Sequence, residues 1–361
     1  MCGFVGISSK ISINNQILKE SVEKISYRGP DHTGIWISSN NKIGFAHKRL
    51  SILDLSKNGN QPMSSLDGKL QIIYNGEIYN YKKIKSNLLG LGYKFFSNTD
   101  TEVILNSYKA WGNECFKKFN GMFSLAIYDL VNSKIILARD RCGQKPLYYF
   151  QDHNTFAFAS ELKCLFHLKN KSLKLNQKSL DFYLSNGYIS GQDCLVKDFF
   201  KLEAGHYLEI SLNNHKYNIH SYWNIPNKLE HFNYNKEEHL DKIINESVKS
   251  QLIADVPVGV MLSGGLDSSL VASVASRHQN NIKTFSVIFD GDKGLDKSQS
   301  KLVSKFIGSD HTEIFVNDIN PEMFFQITDQ LDEPLNDSSI LPSYLISKEI
   351  KKNIKVVLGG D

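Results

Sequence analysis

The first half of the chain carries short apolar runs separated by Gly, Asn, Asp and Ser, a pattern that predicts β-strands. The predicted strands are residues 2–8, 34–38, 43–50, 70–74, 122–128, 134–139 and 155–159. Apolar residues at helical spacing predict two helices among them, at residues 79–91 and 101–111. Strands rich in β-branched and aromatic residues must bury their faces, so this half predicts packed sheets.

Beyond about residue 235 the pattern changes to an alternation of helices and strands. Predicted helices cover residues 236–252, 267–277, 295–307, 321–331 and 339–352, and predicted strands cover residues 256–262, 282–288, 311–316 and 355–358. This order is typical of a parallel sheet covered by helices.

The stretch between the two patterns, residues 212–234, is polar with scattered aromatics and has no clear period, so we interpret it as a linker. The predicted domains are therefore residues 1–211 and residues 235–361. The last three residues, Gly359-Gly360-Asp361, directly follow a predicted strand. Because ligand loops are built at the carboxyl ends of parallel strands, we expect the second domain to be incomplete.

Composition and charge exclude several classes of protein. The 361 residues are 41% hydrophobic and 22% charged with a formal net charge of +4, which is ordinary for a globular protein. Basic residues form no stripe, so no nucleic-acid partner is expected. No apolar run reaches the ~20 residues that a membrane helix needs. The start MCGFVGISSK has no signal-peptide core, so we expect a cytoplasmic protein. Five cysteines without a C-x-x-C pair argue against a disulfide framework or a zinc site.

Cys2 follows the initiator methionine, and its small side chain permits the removal of Met1. The chain would then begin with a residue that carries both a thiol and a free α-amine. The amine titrates near ~8 and a free thiol near ~8.5, so the amine can act as the base for the thiol. We therefore expect acyl transfer without a catalytic histidine. Alternatively, a small residue at position 2 serves only methionine removal, because cysteine is usually a buried structural residue.

A glycine- and serine-rich segment, Ser263-Gly264-Gly265-Leu266-Asp267-Ser268-Ser269, lies between a predicted strand and a predicted helix. Backbone N–H groups of such a turn and of a helix N-terminus can hold a polyphosphate. The segment is neither G-x-x-x-x-G-K-[ST] nor G-x-G-x-x-G. It looks like the pyrophosphate loop of enzymes that split ATP into AMP and pyrophosphate, with Asp267 able to hold Mg²⁺. A serine-rich helix cap is the alternative interpretation.

Further segments occur in the order of one known domain. They are Met1-Cys2-Gly3, Arg28-Gly29-Pro30-Asp31, Arg49-Leu50-Ser51-Ile52, Asn75-Gly76-Glu77-Ile78-Tyr79-Asn80, Thr99-Asp100-Thr101-Glu102, Gly121-Met122-Phe123 and Arg139-Asp140-Arg141. The first half thus resembles the N-terminal-nucleophile glutaminase domain, and the whole chain resembles the glutamine-hydrolysing asparagine synthetase family. The resemblance implies an α+β and α/β protein, in which a four-layer αββα glutamine amidotransferase type 2 domain precedes a parallel-sheet ATP-pyrophosphatase domain.

The resemblance also implies roles in the first domain. Cys2 attacks the side-chain amide of glutamine, while the Asn75 side chain and the Gly76 backbone N–H form the oxyanion hole. Arg49 binds the glutamine α-carboxylate. The implied glutamine site consists of Arg49, Leu50, Ile52, Asn75, Gly76, Glu77 and Asp100. Taken singly, Arg49 fits a surface ion pair, Asp100 a helix cap and Asn75-Gly76 a hairpin turn.

In the second domain the resemblance implies an ATP site. Its residues are Leu262, Ser263, Gly264, Gly265, Asp267, Ser268, Ser269, Val287, Ile288, Gly359 and Gly360. Leu262 and Val287 fit equally well as plain core residues of a sheet. Asp361 stands where many family members carry Glu, which departs from the pattern. The segments Asp332-Glu333-Pro334 and Asp337-Ser338-Ser339 are expected to face the acceptor pocket, with a helix cap as the alternative.

The leading hypothesis is a carbon–nitrogen ligase that hydrolyses glutamine to glutamate and ammonia, adenylates aspartate with ATP and Mg²⁺, and amidates it to asparagine. AMP and pyrophosphate would be released. One alternative is amidation of another carboxylate, such as a uronic acid in surface-polysaccharide synthesis. Another is a glutaminase-only protein whose synthetase half is incomplete. The sequence leaves the oligomeric state open, with a homodimer as one option.

Overall fold

The chain folds into two units. The computed structural model describes residues 1–169, 172–226, 235–289, 295–316 and 321–360. The first unit comprises Met1–Asn227 together with Asp332–Asn336, and the second comprises Lys228–Leu331 together with Asp337–Asp361.

Two six-stranded sheets form the frame of the first unit. Their strands are β1 (Gly3–Ser9), β2 (His32–Ile37), β3 (Ile43–Arg49), β4 (Met63–Ser64), β5 (Leu70–Ile78), β6 (Gly121–Asp129), β7 (Lys134–Arg139), β8 (Tyr148–Gln151), β9 (Thr155–Ala159), β10 (Phe199–Lys201), β11 (His206–Ser211) and β12 (Tyr217–Ser221). One sheet has the order β10-β8-β9-β1-β3-β2 and the other β12-β11-β7-β6-β5-β4. Neighbouring strands pair antiparallel in both sheets.

Both faces of the first sheet are covered, which explains why β1 is buried along its whole length. On one face, Val5 packs with Leu18 of α1 (Asn15–Glu23) and Leu165 of α4 (Leu162–Leu168). On the other face, Phe4 packs with residues of the second sheet such as Leu137. Alternate residues of one strand therefore serve two different cores.

Helices also cover the second sheet, since α3 (Asp100–Trp111) packs on β5 and α2 (Tyr81–Gly90) packs on α3. The layers are thus helices, sheet, sheet and helices. This αββα arrangement confirms the predicted fold class of the first half.

The first unit contains more helices than the two that the pattern predicts. The additional ones are α1, α4 and α5 (Gln177–Asn186). Helix α4 has only seven residues, LKCLFHL, which is shorter than the window over which a helical period can be recognised. Strand β12 lies in the stretch interpreted as a linker, where Tyr217 and Ile219 alternate and pack against the core between the sheets.

The second unit has a parallel sheet of the order β15-β14-β13-β16. Its strands and helices are α6 (Lys236–Gln251), β13 (Val258–Met261), α7 (Leu266–His278), β14 (Lys283–Phe289), α8 (Leu295–Ile307), β15 (Asp310–Val316), α9 (Pro321–Gln330), α10 (Ile340–Ile350) and β16 (Val356–Leu358). The predicted alternation and parallel sheet are confirmed. Within the described ranges, no helix has the length and apolar character that a membrane span requires.

Candidate active sites

Cys2 lies one residue before the central strand β1 and next to the end of β3. The register of β1 and β3 pairs Gly3 with Lys48, so Cys2 reaches the residues that follow β3. Its Sγ lies 3.4 Å from the Leu50 backbone N and 3.6 Å from the Leu50 carbonyl O. Burial raises the pKa of the Cys2 thiol, while the Leu50 N–H and the positive charge of the N-terminus lower it. Burial therefore favours the neutral thiol in the folded chain.

Asn75 and Gly76 lie near the end of β5, where they pair with Ser124 and Phe123 of β6. Asn75 is only 1% exposed, and its Nδ2 has no hydrogen-bond partner in the part of the chain that the structure describes. A buried amide donor without a partner costs free energy, so it calls for a functional explanation. A Cβ on Gly76 would lie 2.2 Å from the Met122 carbonyl O, so only glycine fits this close pairing.

Arg49 ends β3 as a buried cation, with 5% exposure. Its Nη1 donates to the Ser56 carbonyl O at 2.8 Å and to Asn60 Oδ1 at 2.9 Å. Its Nη2 donates to the carbonyl oxygens of Leu53 and Asp54. Both Nη groups thus anchor the loop of residues 53–60, so a bidentate clamp on a carboxylate would require two of these hydrogen bonds to exchange.

Asp100 is the first residue of α3, with Thr99 as the capping residue, whose hydroxyl accepts from the Glu102 N–H. The Asp100 Oδ2 accepts from the Tyr74 hydroxyl at 2.7 Å and from the Ile78 N–H at 2.9 Å. Burial raises the pKa of Asp100 to about 6, although these donors favour the charged form. Asp100 therefore does more than cap a helix, because it joins α3 to β5.

A pocket in the first unit brings the predicted residues together. Its lining contains Cys2, Arg49, Leu50, Ile52, Gly76, Glu77 and Asp100 of the predicted set, but not Asn75. It also contains residues that the sequence reasoning missed, namely Leu53, Gly59, Gln61, Tyr74, Thr99 and Thr101. No histidine belongs to this lining, which comes wholly from described residues.

Two further titratable groups lie near the pocket, and neither belongs to the predicted site residues. His47 is fully buried, with Nε2 3.0 Å from the Tyr74 carbonyl O, and burial lowers its pKa to about 3. Lys145 is buried and donates from Nζ to the Met1 sulfur at 2.7 Å. Burial and the neighbouring Arg28 charge lower the pKa of Lys145 to about 8. His47 is thus a neutral structural group, and Lys145 is a cation beside the N-terminus.

The glycine- and serine-rich segment of the second unit connects β13 to α7, as predicted. The Ser263 and Ser268 hydroxyls lie 2.9 Å apart, and Ser263 Oγ accepts from the Gly265 N–H at 3.3 Å. The Ser268 Oγ donates to the Gly265 carbonyl O at 3.2 Å. A Cβ on Gly360, which follows β16, would lie 2.5 Å from the Ser268 N. The two predicted nucleotide segments therefore meet at the carboxyl ends of adjacent strands.

A cavity of about 330 Å³ opens at this edge of the sheet. Its lining includes the predicted residues Leu262, Ser263, Gly265, Asp267, Ser268, Val287, Gly359 and Gly360. Gly264, Ser269 and Ile288 were predicted but are not in the lining, which instead adds Met261, Leu266, Phe285, Ser286 and Ile346. The carboxylate of Asp267 reaches this cavity together with serine hydroxyls, which suits the hard-oxygen preference of Mg²⁺. The described residues contain no group of three or more His, Cys, Asp or Glu placed to hold a metal. Asp361 lies outside the described residues.

The acidic segment expected to face an acceptor pocket packs with residues of the first unit. Asp332 accepts from the backbone N–H groups of Leu162 and Lys163, and Glu333 accepts from the Leu195 N–H at 2.7 Å. The expectation that Asp332 and Glu333 face an acceptor pocket stays a prediction. Asp337 accepts from the Ser339 N–H at 2.8 Å just before α10, and the side chain of Ser339, the N-cap residue, makes no capping hydrogen bond.

The comparisons with known proteins agree with these features. A family model for the glutamine amidotransferase domain matches residues 1–223, and a family model for asparagine synthase matches residues 239–361. Together with the αββα fold, the first match defines the first unit as a glutamine amidotransferase domain. The second match shows that an asparagine synthase domain follows it in the chain.

Named relatives identify the family. The chain is 36% identical to the provisionally named asparagine synthetase [glutamine-hydrolyzing] 2 of Methanocaldococcus jannaschii, over 100% of this chain and 74% of the relative. It is 33% and 35% identical to asparagine synthetases [glutamine-hydrolyzing] 1 and 2 of Bacillus subtilis, over 100% of this chain but 57% and 51% of those proteins. The chain belongs to the glutamine-hydrolysing asparagine synthetase family, a family of ligases. It spans only about half the length of the two Bacillus relatives.

Proposed function

We propose that the protein is a glutamine-dependent asparagine synthetase. In the first unit, glutamine would be hydrolysed to glutamate and ammonia. In the second unit, ATP would activate the side-chain carboxylate of aspartate, and ammonia would replace AMP on the acyl carbon. The family membership supports the glutamine-dependent transfer. The presence of one cavity in each unit supports the assignment of glutamine hydrolysis and aspartate activation to different units.

The first step is attack of the Cys2 sulfur on the side-chain amide carbon of glutamine. The carbonyl π electrons move to oxygen, and the carbon–nitrogen bond then breaks as ammonia leaves with the proton it needs. A thioester remains, which water hydrolyses to glutamate and the thiol. The buried Asn75 Nδ2 and the Gly76 N–H would donate to the oxyanion.

The proton of the Cys2 thiol would pass to the α-amine of the same residue once Met1 is removed. The raised pKa of the buried thiol makes this base necessary, because little thiolate exists without it. Lys145 lies beside the N-terminus, and its positive charge would hold part of the amine population unprotonated. Arg49, Glu77 and Asp100 would bind the charged α-groups of glutamine.

In the second unit, the carboxylate of aspartate would attack the α-phosphorus of ATP and release pyrophosphate. Backbone N–H groups at the start of α7 and the serines of the loop would hold the phosphates. Asp267 would hold Mg²⁺, which offsets charge on the departing pyrophosphate. Ammonia would then attack the acyl carbon, and the bond to AMP would break.

The observation that carries the proposal is the buried Asn75 Nδ2, which has no hydrogen-bond partner among the described residues and lies next to a pocket that contains Cys2. The test measures glutaminase activity and ATP–pyrophosphate exchange on the same protein. Exchange that depends on aspartate supports the proposal. Exchange that depends instead on a uronic acid, or glutaminase activity with no exchange, would contradict the assignment of aspartate.

A further inference from the structure

One short segment lies in the sequence between two helices of the second unit but is folded as part of the first unit. Asp332–Asn336 follows α9 and precedes α10, yet it belongs to the first unit. The Asn336 N–H donates to the Gly187 carbonyl O at 2.8 Å, and Lys201 Nζ lies 2.7 Å from Glu333 Oε2. The segment is therefore held by directed hydrogen bonds and an ion pair.

Asp332 makes the most deeply placed of these contacts. Its carboxylate accepts from the first two backbone N–H groups of α4, those of Leu162 and Lys163. It thereby satisfies orphan donors that a capping residue would otherwise take. Lys163 Nζ lies 3.7 Å from Asp332 Oδ1, and the Asp332 side chain is only 8% exposed.

Successive contacts between charged side chains connect Lys163 with the backbone of Cys2. Lys163 Nζ lies 3.2 Å from Glu161 Oε2, and Arg28 Nη1 lies 2.7 Å from Glu161 Oε1. Arg28 Nε donates to the carbonyl O of Cys2 at 2.8 Å. The side chains of Arg28 and Glu161 are 11% and 8% exposed, so water screens these charges weakly.

The cluster is balanced, with two cations and two anions. Glu161 is already the nearer carboxylate to Lys163, at 3.2 Å against 3.7 Å for Asp332. Without the charge of Asp332, Lys163 would attract Glu161 more strongly and would compete with Arg28 for it. The Arg28 guanidinium would then hold the Cys2 carbonyl less firmly. Misplacement of a reacting group by ~1 Å can cost on the order of 100-fold in rate.

We propose that Asp332 is a positioning residue for glutamine hydrolysis, because it fixes the Lys163–Glu161–Arg28 cluster that holds the backbone of Cys2. The inference rests on the proposed role of Cys2.

The test is a double-mutant cycle, measured as glutamine hydrolysis by the 361-residue protein. Each single variant removes one charge from the cluster, and the double variant removes one charge of each sign. We expect Asp332→Asn to lower kcat about tenfold with KM changed less than about twofold, because the glutamine-binding groups stay in place. Lys163→Gln should also lower kcat. The double variant restores neutrality, so its kcat should exceed that of Asp332→Asn at least about threefold.

The matched control is Glu333→Gln, which removes one charge from the same segment but contacts Leu195 and Lys201 rather than the cluster. Its kcat should stay within about twofold of wild type. Melting temperatures identify variants that have lost the fold, and the double variant keeps the test informative if one single variant unfolds. Strictly additive effects, or wild-type kcat in Asp332→Asn, would overturn the inference. A wild-type protein without glutaminase activity would instead refute the proposed function.

Discussion

The two candidate sites are both built where strands end, but they differ in how far apart their parts lie in the sequence. In the first unit, Cys2 contacts Leu50, and Asp100 contacts Tyr74 and Ile78. In the second unit, most contacts of the loop join residues no more than five positions apart, such as Ser263 and Ser268. The first site therefore depends on long-range packing, whereas the loop depends on local backbone geometry.

This difference shows in the chemistry of the groups. Burial shifts the pKa values of Cys2 and Asp100 upward, because both lie between layers of the αββα fold. The loop of the second unit instead offers backbone N–H groups and hydroxyls, whose function needs no pKa shift. Substitutions should therefore act on charge state and positioning in the first site, and on shape in the second.

The largest expected effect is that of Cys2→Ala, which removes the proposed nucleophile. Glutamine hydrolysis should fall at least about 1,000-fold, since no other group can form the thioester. The measurement is glutamate release from glutamine by the purified protein. Cys142→Ala is the control, because Cys142 is an exposed cysteine of the same unit, and its rate should equal that of wild type. Similar rates in Cys2→Ala and wild type would exclude Cys2 as the nucleophile.

Asn75→Ala should give the next largest effect, a fall in kcat of about 100- to 1,000-fold with little change in KM. The lost donor would act only on the oxyanion of the transition state, because the amide has no structural partner among the described residues. Steady-state kinetics with glutamine measure kcat and KM separately. Asn106→Ala, which removes an amide that donates to the Lys94 carbonyl O, provides the control. An equal rise in KM without loss of kcat would mean that Asn75 only binds substrate.

Gly360→Ala tests the long-range contact of the second site. The new Cβ would lie 2.5 Å from the Ser268 N and would displace the loop, so ATP binding should weaken about tenfold. Calorimetric titration with ATP and Mg²⁺ measures the change. Gly90→Ala is the matched control, because a Cβ there meets nothing within 4 Å. Unchanged ATP affinity in Gly360→Ala would place the phosphates away from this loop, while glutamine hydrolysis should stay normal in both variants.

The smallest effect concerns stability and Asp100. Its pKa is about 6 in the folded protein and ~3.9 in an unfolded chain, so the folded state binds this proton more tightly. The free energy of unfolding therefore falls as pH rises from ~4 to ~6. Asp100→Asn removes this cost and should raise Tm by about 2–4 °C at pH 7 to 8.

The Tm difference between Asp100→Asn and wild type should shrink toward pH 4, where the wild-type carboxyl is protonated. Calorimetric scans at several pH values measure it, and the glutamine KM of the variant should rise. A variant that melts below wild type at pH 8 would show that the ionised carboxylate stabilises the fold, and the proposed cost of its burial would then be wrong.

Local pattern was sufficient for much of this protein. Short apolar runs bounded by Gly, Asn, Asp and Ser predict most strands of the first unit, and the strand–turn–helix around Ser263–Ser269 follows from its glycines and flanking apolar runs. Pattern reasoning missed α4, which is only seven residues long, and Tyr217–Ser221, which forms a strand by pairing with β11. These elements owe their structure to neighbours that are distant in sequence.

The sequence by itself determined which residue types could carry the chemistry, because a cysteine after Met1 and a loop such as SGGLDSS have few other uses in this order. Only the tertiary structure decided the pKa values and the hydrogen-bond partners of these residues. Burial raises the pKa of Cys2, the pairing of β5 with β6 leaves Asn75 Nδ2 without a hydrogen-bond partner among the described residues, and the carboxylate of Asp332 binds the first backbone N–H groups of α4. Desolvation and long-range hydrogen bonds arise when remote segments pack together, so no local pattern can encode them.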